Sequence, residues 1–309
     1  MFGVDELRRA LIATNPRLSK FNPLPRILAH DDFDEGARGW CELCGNHDGN
    51  LDTVRPEARD FRPPQLSSCT FFDIGTHGSM DGTYSLKLAT RPQKHHTAIA
   101  IKRLTMAGRG LVQFETYFTF KTEASFDQGS YGGLAWDGNT HPSEAQFGSF
   151  TLCNDICESP DATRYHAVLR YQNTDDDGNF VQKWRYATSA EPTTKMYLRD
   201  HNNASSDFSV AHPDDWRDVP GGAQRLCHNE VPTKVNWHYL RWCFDTRTRR
   251  SVELQVNGLT MDLREIPVPV YPEPYWGIKE LLNIYLTVRT NSGMRNFLYL
   301  DSALISADW

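Results

Sequence analysis

The fold is decided by the stretch Tyr165-His-Ala-Val-Leu-Arg-Tyr-Gln-Asn-Thr-Asp-Asp-Asp-Gly-Asn-Phe-Val-Gln-Lys-Trp-Arg-Tyr186, in which two alternating runs flank a polar segment. Successive side chains of a strand point to opposite faces of a sheet. This places Arg170 on the same face as His166 and Gln172, opposite an apolar face. Asp-Gly and Asn favour positive φ, so residues 173–179 predict the turn of an antiparallel hairpin.

The same period of two recurs along most of the chain after residue 27. Further strands are predicted at 83–91, 98–103, 111–121, 147–152, 237–245, 251–256, 260–263, 282–290 and 297–305. Gln255-Val-Asn-Gly258 marks a second tight hairpin turn. About a dozen short strands with closely spaced turns and no helical crossover predict an all-β protein, an antiparallel sandwich or barrel.

One helix is expected, over residues 5–18, where apolar residues recur at helical spacing. Asp5 is placed to cap this helix, and Asn15-Pro16 is placed to end it. The helix carries too few apolar residues to form a domain of its own. Residues 1–26 are therefore predicted to be an arm that packs on the body or on a second subunit, as in a homodimer.

The remaining residues, 27–309, are predicted to form a single domain. Within it, residues 188–234 are rich in Pro and Gly and show weak periodicity. A loop of this length in a compact domain is typically functional or flexible, and we expect it to cover one end or face of the sandwich.

Composition excludes several classes of protein. The 309 residues contain 39 Asp and Glu against 33 Lys and Arg, a net charge of −6. This balance argues against a nucleic-acid partner or an acidic membrane surface. No apolar run approaches the roughly 20 residues that span a bilayer. The N-terminus has no apolar core typical of a secretory signal, so we expect a cytoplasmic protein with reduced thiols.

Three segments resemble a known family. Asp31-Asp-Phe-Asp-Glu-Gly-Ala-Arg-Gly-Trp40 is similar to the opening of concanavalin A-like lectin/glucanase sandwiches. Trp237-His-Tyr-Leu-Arg-Trp-Cys-Phe-Asp-Thr246, with Ser251-Val-Glu-Leu-Gln-Val-Asn-Gly258, resembles that superfamily's late hairpin, and Leu298-Tyr-Leu-Asp-Ser-Ala-Leu-Ile-Ser306 resembles its closing strand. The resemblance implies an antiparallel β-sandwich of the jelly-roll type. It also implies two curved sheets of six or seven strands each, and a concave face that binds saccharides.

The chain departs from the family's catalytic pattern. Retaining glucanases of this superfamily carry Glu-x-Asp-x-Glu on one strand, which points three carboxylates into one cleft. The corresponding run here is Glu115-Thr-Tyr-Phe-Thr119, with one carboxylate. A second carboxylate would have to come from another strand, with Asp155 or Glu158 as candidates. The sequence leaves open whether the protein is an enzyme. If it is one, a glycoside hydrolase and a polysaccharide lyase are both possible.

The candidate binding residues lie in the middle of predicted strands. Arginine opposite an apolar face is expensive to bury without a partner, which favours either ligand contact or a structural ion pair with Glu115 or Asp155. An exposed, solvated face is the third alternative. The candidates for saccharide contact are Arg170, Arg289, Arg185, Lys183 and Asp155, with Trp136 and Trp216 in predicted loops as stacking platforms.

The cationic character of this set favours an anionic saccharide such as a uronate. Lyases that act on uronates neutralise the carboxylate with Arg or Gln and move protons with Tyr or His. The candidates for such proton transfer are His166, Tyr117 and Tyr285, whereas Glu115 is the catalytic candidate that the glucanase pattern implies. Cross-strand packing is the alternative for each tyrosine.

Metal sites are a separate hypothesis, and no cofactor is expected to be required. The resemblance implies a structural calcium ion near the N-terminal and closing strands, with Asp32, Asp34 and Asp301 as ligands. Asp175-Asp-Asp-Gly-Asn179 has alternate oxygens like a calcium loop but lacks a distal bidentate Glu, which favours a plain turn. Cys41, Cys44, His47 and Cys69 could bind zinc, but the usual second ligand pair is missing.

Three functions therefore remain, each with its own structural expectation. A saccharide-active enzyme predicts a deep pocket with a base of perturbed pKa. A non-catalytic lectin-like protein predicts a shallow groove with aromatic platforms. A structural or dimerisation protein predicts an apolar outer face and no pocket.

Overall fold

The computed structural model describes residues 3–41, 63–68, 79–123, 143–188, 216–229, 235–270 and 279–309. These residues form helix α1 (Val4–Thr14), a short 3-10 helix (Glu144–Gln146) and the following strands: β1 (Arg26–Asp31), β2 (Trp40–Cys41), β3 (Gln65–Ser68), β4 (Tyr84–Ala89), β5 (Thr97–Thr105), β6 (Leu111–Thr122), β7 (Ser149–Cys157), β8 (Arg164–Thr174), β9 (Phe180–Ala187), β10 (Trp216–Ala223), β11 (His238–Asp245), β12 (Arg250–Val256), β13 (Leu259–Asp262), β14 (Leu281–Arg289) and β15 (Asn296–Ala307).

The strands form two antiparallel sheets. An eight-stranded sheet has the order β13-β12-β11-β6-β15-β4-β3, with β1 also paired to β15. A seven-stranded sheet has the order β10-β9-β8-β7-β14-β5-β2. The antiparallel sandwich that the sequence predicts is confirmed, although one sheet has eight strands rather than six or seven. Neighbours such as β6 and β15 are distant in the chain, so long-range pairing holds the fold together.

The core lies between the two sheets and is rich in aromatic residues. Phe118 of β6 meets Phe150 of β7 across the layer, with ring centroids 5.1 Å apart. Trp184 and Trp242 are fully buried in the same cluster. Each large apolar side chain contributes about 1.5–3 kcal/mol when it is removed from water. Since alternate residues of each strand supply this core, the residues between them point away from it.

The predicted turn at residues 173–179 is confirmed. The Asp175 carboxylate accepts hydrogen bonds from the backbone N–H of Asp177 at 2.9 Å and of Asn179 at 2.8 Å. Gly178 has φ +84°, which a side chain would disfavour. The Asp175 oxygens thus hold the turn itself, as the plain-turn interpretation expects.

The N-terminal arm packs through its extended part rather than its helix. No residue of α1 is buried, and its N-cap is Gly3 rather than the predicted Asp5. The following residues lie on the eight-stranded sheet, where the Tyr117 hydroxyl donates to the Lys20 carbonyl at 3.0 Å. The backbone N–H of Leu24 donates to Ser306 Oγ at 3.0 Å. No helix among the described residues has the length and apolar character needed to cross a membrane.

The prediction of one long loop over residues 188–234 is wrong in part. Residues 216–223 form β10, which pairs antiparallel with β9 at the edge of the seven-stranded sheet. The pairing register shifts between Asp218 and Ala223, around Pro220 and Gly221. Pro and Gly are tolerated at edges and bulges of sheets. Their high density here is therefore compatible with an edge strand, although it favours a loop when the sequence alone is considered. Residues 189–215 and 230–234 lie outside the described residues.

Candidate functional site

The predicted cationic residues of β8, β9 and β14 lie on the side of the seven-stranded sheet that faces away from the core, which we call the outer face. Arg289 of β14 pairs with Ser149 of β7, and Arg170 of β8 pairs with Thr151, two residues further along β7. Paired residues, and residues two apart on a strand, point to the same side of a sheet. Arg170 and Arg289 therefore share one face, as the alternation predicts.

An apolar patch occupies the middle of the outer face. It consists of buried residues from neighbouring strands: Ile99, Ile101, Cys153, Val168, Ala187, Trp216 and Tyr285. Burial raises the pKa of the Cys153 thiol well above its ordinary value, despite a hydrogen bond with Tyr285. Polar clusters flank this patch along the strands.

Arg170 is stacked on Trp216. The guanidinium carbon lies 3.9 Å from the centroid of the indole ring, and Nε donates to Thr151 Oγ1 at 3.3 Å. Both residues are nearly fully buried, with 5% of Arg170 and 2% of Trp216 exposed. A desolvated cation over an indole ring is worth about 2 kcal/mol. Trp216 was expected in a loop, but it is the first residue of β10 and pairs with Ala187.

Arg185 extends this cluster towards the edge of the sheet. Its guanidinium donates to Gln172 Oε1 and to the carbonyl of Trp216, each at 3.3 Å. It also lies 3.3 Å from Asp218, which accepts from Lys183 at 2.8 Å. The side chain of Asp218 is 49% exposed, so these outer pairs are open to solvent.

Arg289 is anchored to the hairpin turn. Its Nη1 donates to Asp176 Oδ1 at 3.1 Å, and His95 Nε2 lies 3.2 Å from the same oxygen. Burial raises the pKa of Asp176, but Arg289 and His95 more than offset this, and the pKa lies below its ordinary value. Arg289 therefore has a structural contact in addition to any contact with a ligand.

The opposite end of the outer face holds a buried ionic cluster. The Asp155 carboxylate accepts from Arg164 Nε and Nη2, each at 2.8 Å, and lies 2.7 Å from His166 Nε2. Asn283 Nδ2 donates to the same carboxylate at 3.3 Å. Burial raises the pKa of Asp155, but His166 and Arg164 outweigh it and hold the pKa well below its ordinary value. The alternation did not single out Arg164 or Asn283, although both follow from the registers of β8 and β14.

The predicted catalytic residues do not come together. Glu115 and Tyr117 lie on β6 in the eight-stranded sheet, whereas His166 and Tyr285 lie in the seven-stranded sheet. A single site built from all four is therefore wrong. The reason is that a period of two identifies the face of a strand but not the sheet to which the strand belongs.

The predicted carboxylate partners of Glu115 are also engaged elsewhere. Asp155 belongs to the cluster with Arg164, and Glu158 accepts from Tyr165 Oη and Arg249 Nη2, each at 2.8 Å. The two-carboxylate arrangement that a glycoside hydrolase uses is not formed by these residues.

The three aspartates proposed as calcium ligands have separate partners. Asp32 lies 2.9 Å from the Arg17 guanidinium, and Asp34 accepts from the backbone N–H groups at the start of β4. Asp301 accepts from the backbone N–H of Met80 at 2.9 Å. Among the residues that the structure describes, no group of three or more potential ligands is suited to a metal ion. These aspartates do not fit a calcium site.

Several predicted residues cannot be placed. Trp136, Cys44, His47 and Cys69 lie outside the described residues. Cys41 is in β2, where its thiol donates to the Ile101 carbonyl at 3.7 Å. The zinc hypothesis therefore stays a prediction.

Comparison with known proteins places the chain in a family. Residues 8–309 match the model described as "Domain of unknown function (DUF6772)", and the chain belongs to that family. No curated protein sequence matches the chain.

Similar solved structures are found despite low sequence identity. A structure of endo-acting O-glycanases of the human gut microbiota is 11% identical, covers 91% of this chain and 99% of its own, and has a TM-score of 0.39. Lectin I from Ulex europaeus, in complex with the methyl glycoside of α-L-fucose, is 10% identical, covers 78% of this chain and 90% of its own, and has a TM-score of 0.38. Winged bean acidic lectin, complexed with methyl-α-D-galactose, is 9% identical, covers 79% of this chain and 92% of its own, and has a TM-score of 0.37. Similarity of this degree concerns the sandwich and carries no argument about ligand or activity.

Proposed function

We propose that this protein binds a saccharide that carries carboxylate groups, and that the outer face of the seven-stranded sheet is the binding surface. The observation that supports this proposal most directly is the stack of Arg170 on Trp216. Once a conformational change exposes them, the indole plane can stack on a pyranose ring and the guanidinium can donate two hydrogen bonds to a carboxylate.

The charge of the outer face supports an anionic ligand. The described strands place six cationic side chains on it, which are Arg103, Arg164, Arg170, Lys183, Arg185 and Arg289. Three described carboxylates face them, which are Asp155, Asp176 and Asp218. Among the residues that the structure describes, this face therefore carries more cations than carboxylates, in a chain whose net charge is −6. A localised positive field attracts anions and orients them.

Burial of the stack has a kinetic consequence. Because Arg170 and Trp216 are almost inaccessible in the free chain, a saccharide contacts them only after a conformational change. Association that requires such a change is slower than the usual 10⁵–10⁷ M⁻¹ s⁻¹, so we expect a rate constant below about 10⁵ M⁻¹ s⁻¹.

The proposal is binding rather than catalysis. His166 could serve as a base oriented by Asp155, but Tyr285 pairs with Cys153 rather than with the His166–Asp155 row. His166 and Tyr285 therefore lie at different levels along the strands, and they are on strands separated by β7. Glycoside hydrolase or lyase activity would appear as product release, and the assay below records it.

A panel of neutral glycans and uronate oligosaccharides tests the proposal, with binding and product release measured on the same samples. We expect uronate oligosaccharides to bind, and Arg170→Lys to weaken binding by at least about fivefold, because Lys cannot reproduce bidentate geometry. Arg264→Lys is the matched control, since Arg264 is 68% exposed on the other sheet. No binding by wild type, or equal binding by folded Arg170→Lys, would overturn the proposal.

A further inference from the structure

A pocket lies on the opposite side of the sandwich, against the outer surface of the eight-stranded sheet. Its volume is about 300 Å³, at the lower end of the range for small-molecule sites. We call it the Tyr117–Tyr239 pocket, and it is lined by Lys20, Phe21, Asn22, Tyr117, Tyr239, Arg241 and Gln255.

The wall of this pocket is held in place by the N-terminal arm. The backbone N–H of Asn22 donates to Glu115 Oε2 at 2.9 Å, and the Asn22 carbonyl accepts from Gln113 Nε2 at 2.8 Å. The Tyr117 hydroxyl donates to the Lys20 carbonyl at 3.0 Å. These bonds tie the arm to alternate residues of β6, so this wall of the pocket is formed in the free chain.

The floor of the pocket is aromatic. Tyr117 and Tyr239 are directly paired across β6 and β11, with ring centroids 5.3 Å apart. On the same face of β6, fully buried Glu115 accepts from the Tyr239 hydroxyl at 2.6 Å. Burial and the nearby Glu115 raise the pKa of both tyrosines above the ordinary value. The phenols therefore stay neutral, and their hydroxyl groups donate to the Lys20 carbonyl and to Glu115.

The cations around the pocket are already paired with carboxylates of the chain. Lys20 Nζ lies 2.6 Å from Asp81 and 3.4 Å from Asp301, and it sits 5.6 Å from the centroid of the Tyr117 ring. Arg241 donates to Glu253 through Nη2. No surplus of positive charge favours an anion, and Lys20 occupies the position that an external cation would take over the ring.

The rim nevertheless keeps hydrogen-bonding capacity. Gln255 uses its amide N–H in a bond of 3.1 Å to the Asn257 carbonyl, which leaves its own carbonyl oxygen as an acceptor. The Asn22 side chain and the remaining N–H groups of Arg241 add donors. A neutral, ring-sized polyhydroxyl molecule matches an aromatic floor, cations that are already paired within the chain, and a polar rim.

We infer that the Tyr117–Tyr239 pocket binds a single neutral pyranose, stacked on Tyr239 and bonded at its rim by Arg241 and Gln255. The site is independent of the proposed uronate surface, because it lies on the other sheet and selects a neutral ligand.

Saturation-transfer NMR with methyl glucoside and methyl galactoside tests this inference on the full chain. We expect transfer to the ring protons of at least one glycoside, reduced at least threefold in Arg241→Gln. Arg241 and its partner Glu253 are both partly exposed, so this change leaves the fold intact. Arg264→Gln, an exposed arginine on the neighbouring β13 turn, is the matched control and should match wild type.

Two results would overturn the inference. One is the absence of transfer in wild type. The other is transfer that survives in Arg241→Gln but is lost in Arg170→Lys, which would place the sugar on the seven-stranded sheet. Failure here leaves the uronate proposal untouched, since that proposal is measured with a different ligand and a different variant.

Discussion

Replacement of Asp155 by Asn removes one charge from the buried cluster and almost no volume. The Asp155 carboxylate accepts two bonds of 2.8 Å from Arg164 and lies 2.7 Å from His166, and all three residues are buried. Removing one partner of a buried ion pair destabilises a protein by about 3–5 kcal/mol, because the remaining charge is left desolvated. We expect Asp155→Asn to lower the free energy of unfolding in urea by about this amount at pH 7.

The loss of stability in Asp155→Asn should also depend on pH. The pKa of Asp155 in the folded chain lies below its ordinary value of 3.8, since His166 and Arg164 outweigh the effect of burial. A lowered pKa contributes stability that is present above about pH 4 and is lost as the pH falls towards the folded value. The difference in free energy of unfolding between wild type and Asp155→Asn should therefore be largest at pH 7 and become smaller below pH 4.

Asp218→Asn is the control for this experiment. Asp218 also pairs with two cations, Lys183 and Arg185, but its side chain is 49% exposed. Exposed pairs are worth about 0–1 kcal/mol. The reasoning is refuted if Asp155→Asn destabilises the chain no more than Asp218→Asn does.

Three other predictions follow from the burial and contacts of individual residues. Trp216→Ala should destabilise by about 3–5 kcal/mol in urea unfolding, because it leaves a cavity within the apolar patch; a loss under 1 kcal/mol would contradict the buried stack. Alkylation followed by mass spectrometry should label exposed Cys227 before Cys153, whose thiol is buried with a raised pKa; early labelling of Cys153 would show that the outer face opens readily. Tyr165→Phe removes the bond of 2.8 Å to buried Glu158 and should lower stability by about 1–3 kcal/mol, with no measurable loss as the contrary result.

Local features of the chain could be predicted because local chemistry determines them. The turn at residues 173–179 follows from Asp-Gly and Asn, and the shared face of Arg170 and Arg289 follows from strand alternation. The turn between β12 and β13 contains Asn257 at φ +52°, as Gln255-Val-Asn-Gly258 indicates. None of these features depends on knowing which distant strands pair.

The candidate site depends on long-range pairing, which the local pattern does not encode. Glu115 is a catalytic candidate from the glucanase pattern and His166 from the polar face of its strand, but β6 and β8 belong to different sheets. The bond from Arg164 to Asp155 requires β7 and β8 in one particular register. Trp216 was missed as a strand residue because the Pro-Gly bulge after it obscures the alternation.

The central claim is that a carboxylate-bearing saccharide contacts the Arg170–Trp216 stack. The most direct measurement follows the indole N–H signals of the eight tryptophans by NMR during titration with a uronate oligosaccharide, with the Trp216 signal assigned from Trp216→Phe. The account predicts a saturable shift or broadening of the Trp216 signal that is larger than for buried Trp242 in the core. A titration that leaves the Trp216 signal unchanged while the oligosaccharide binds would contradict it.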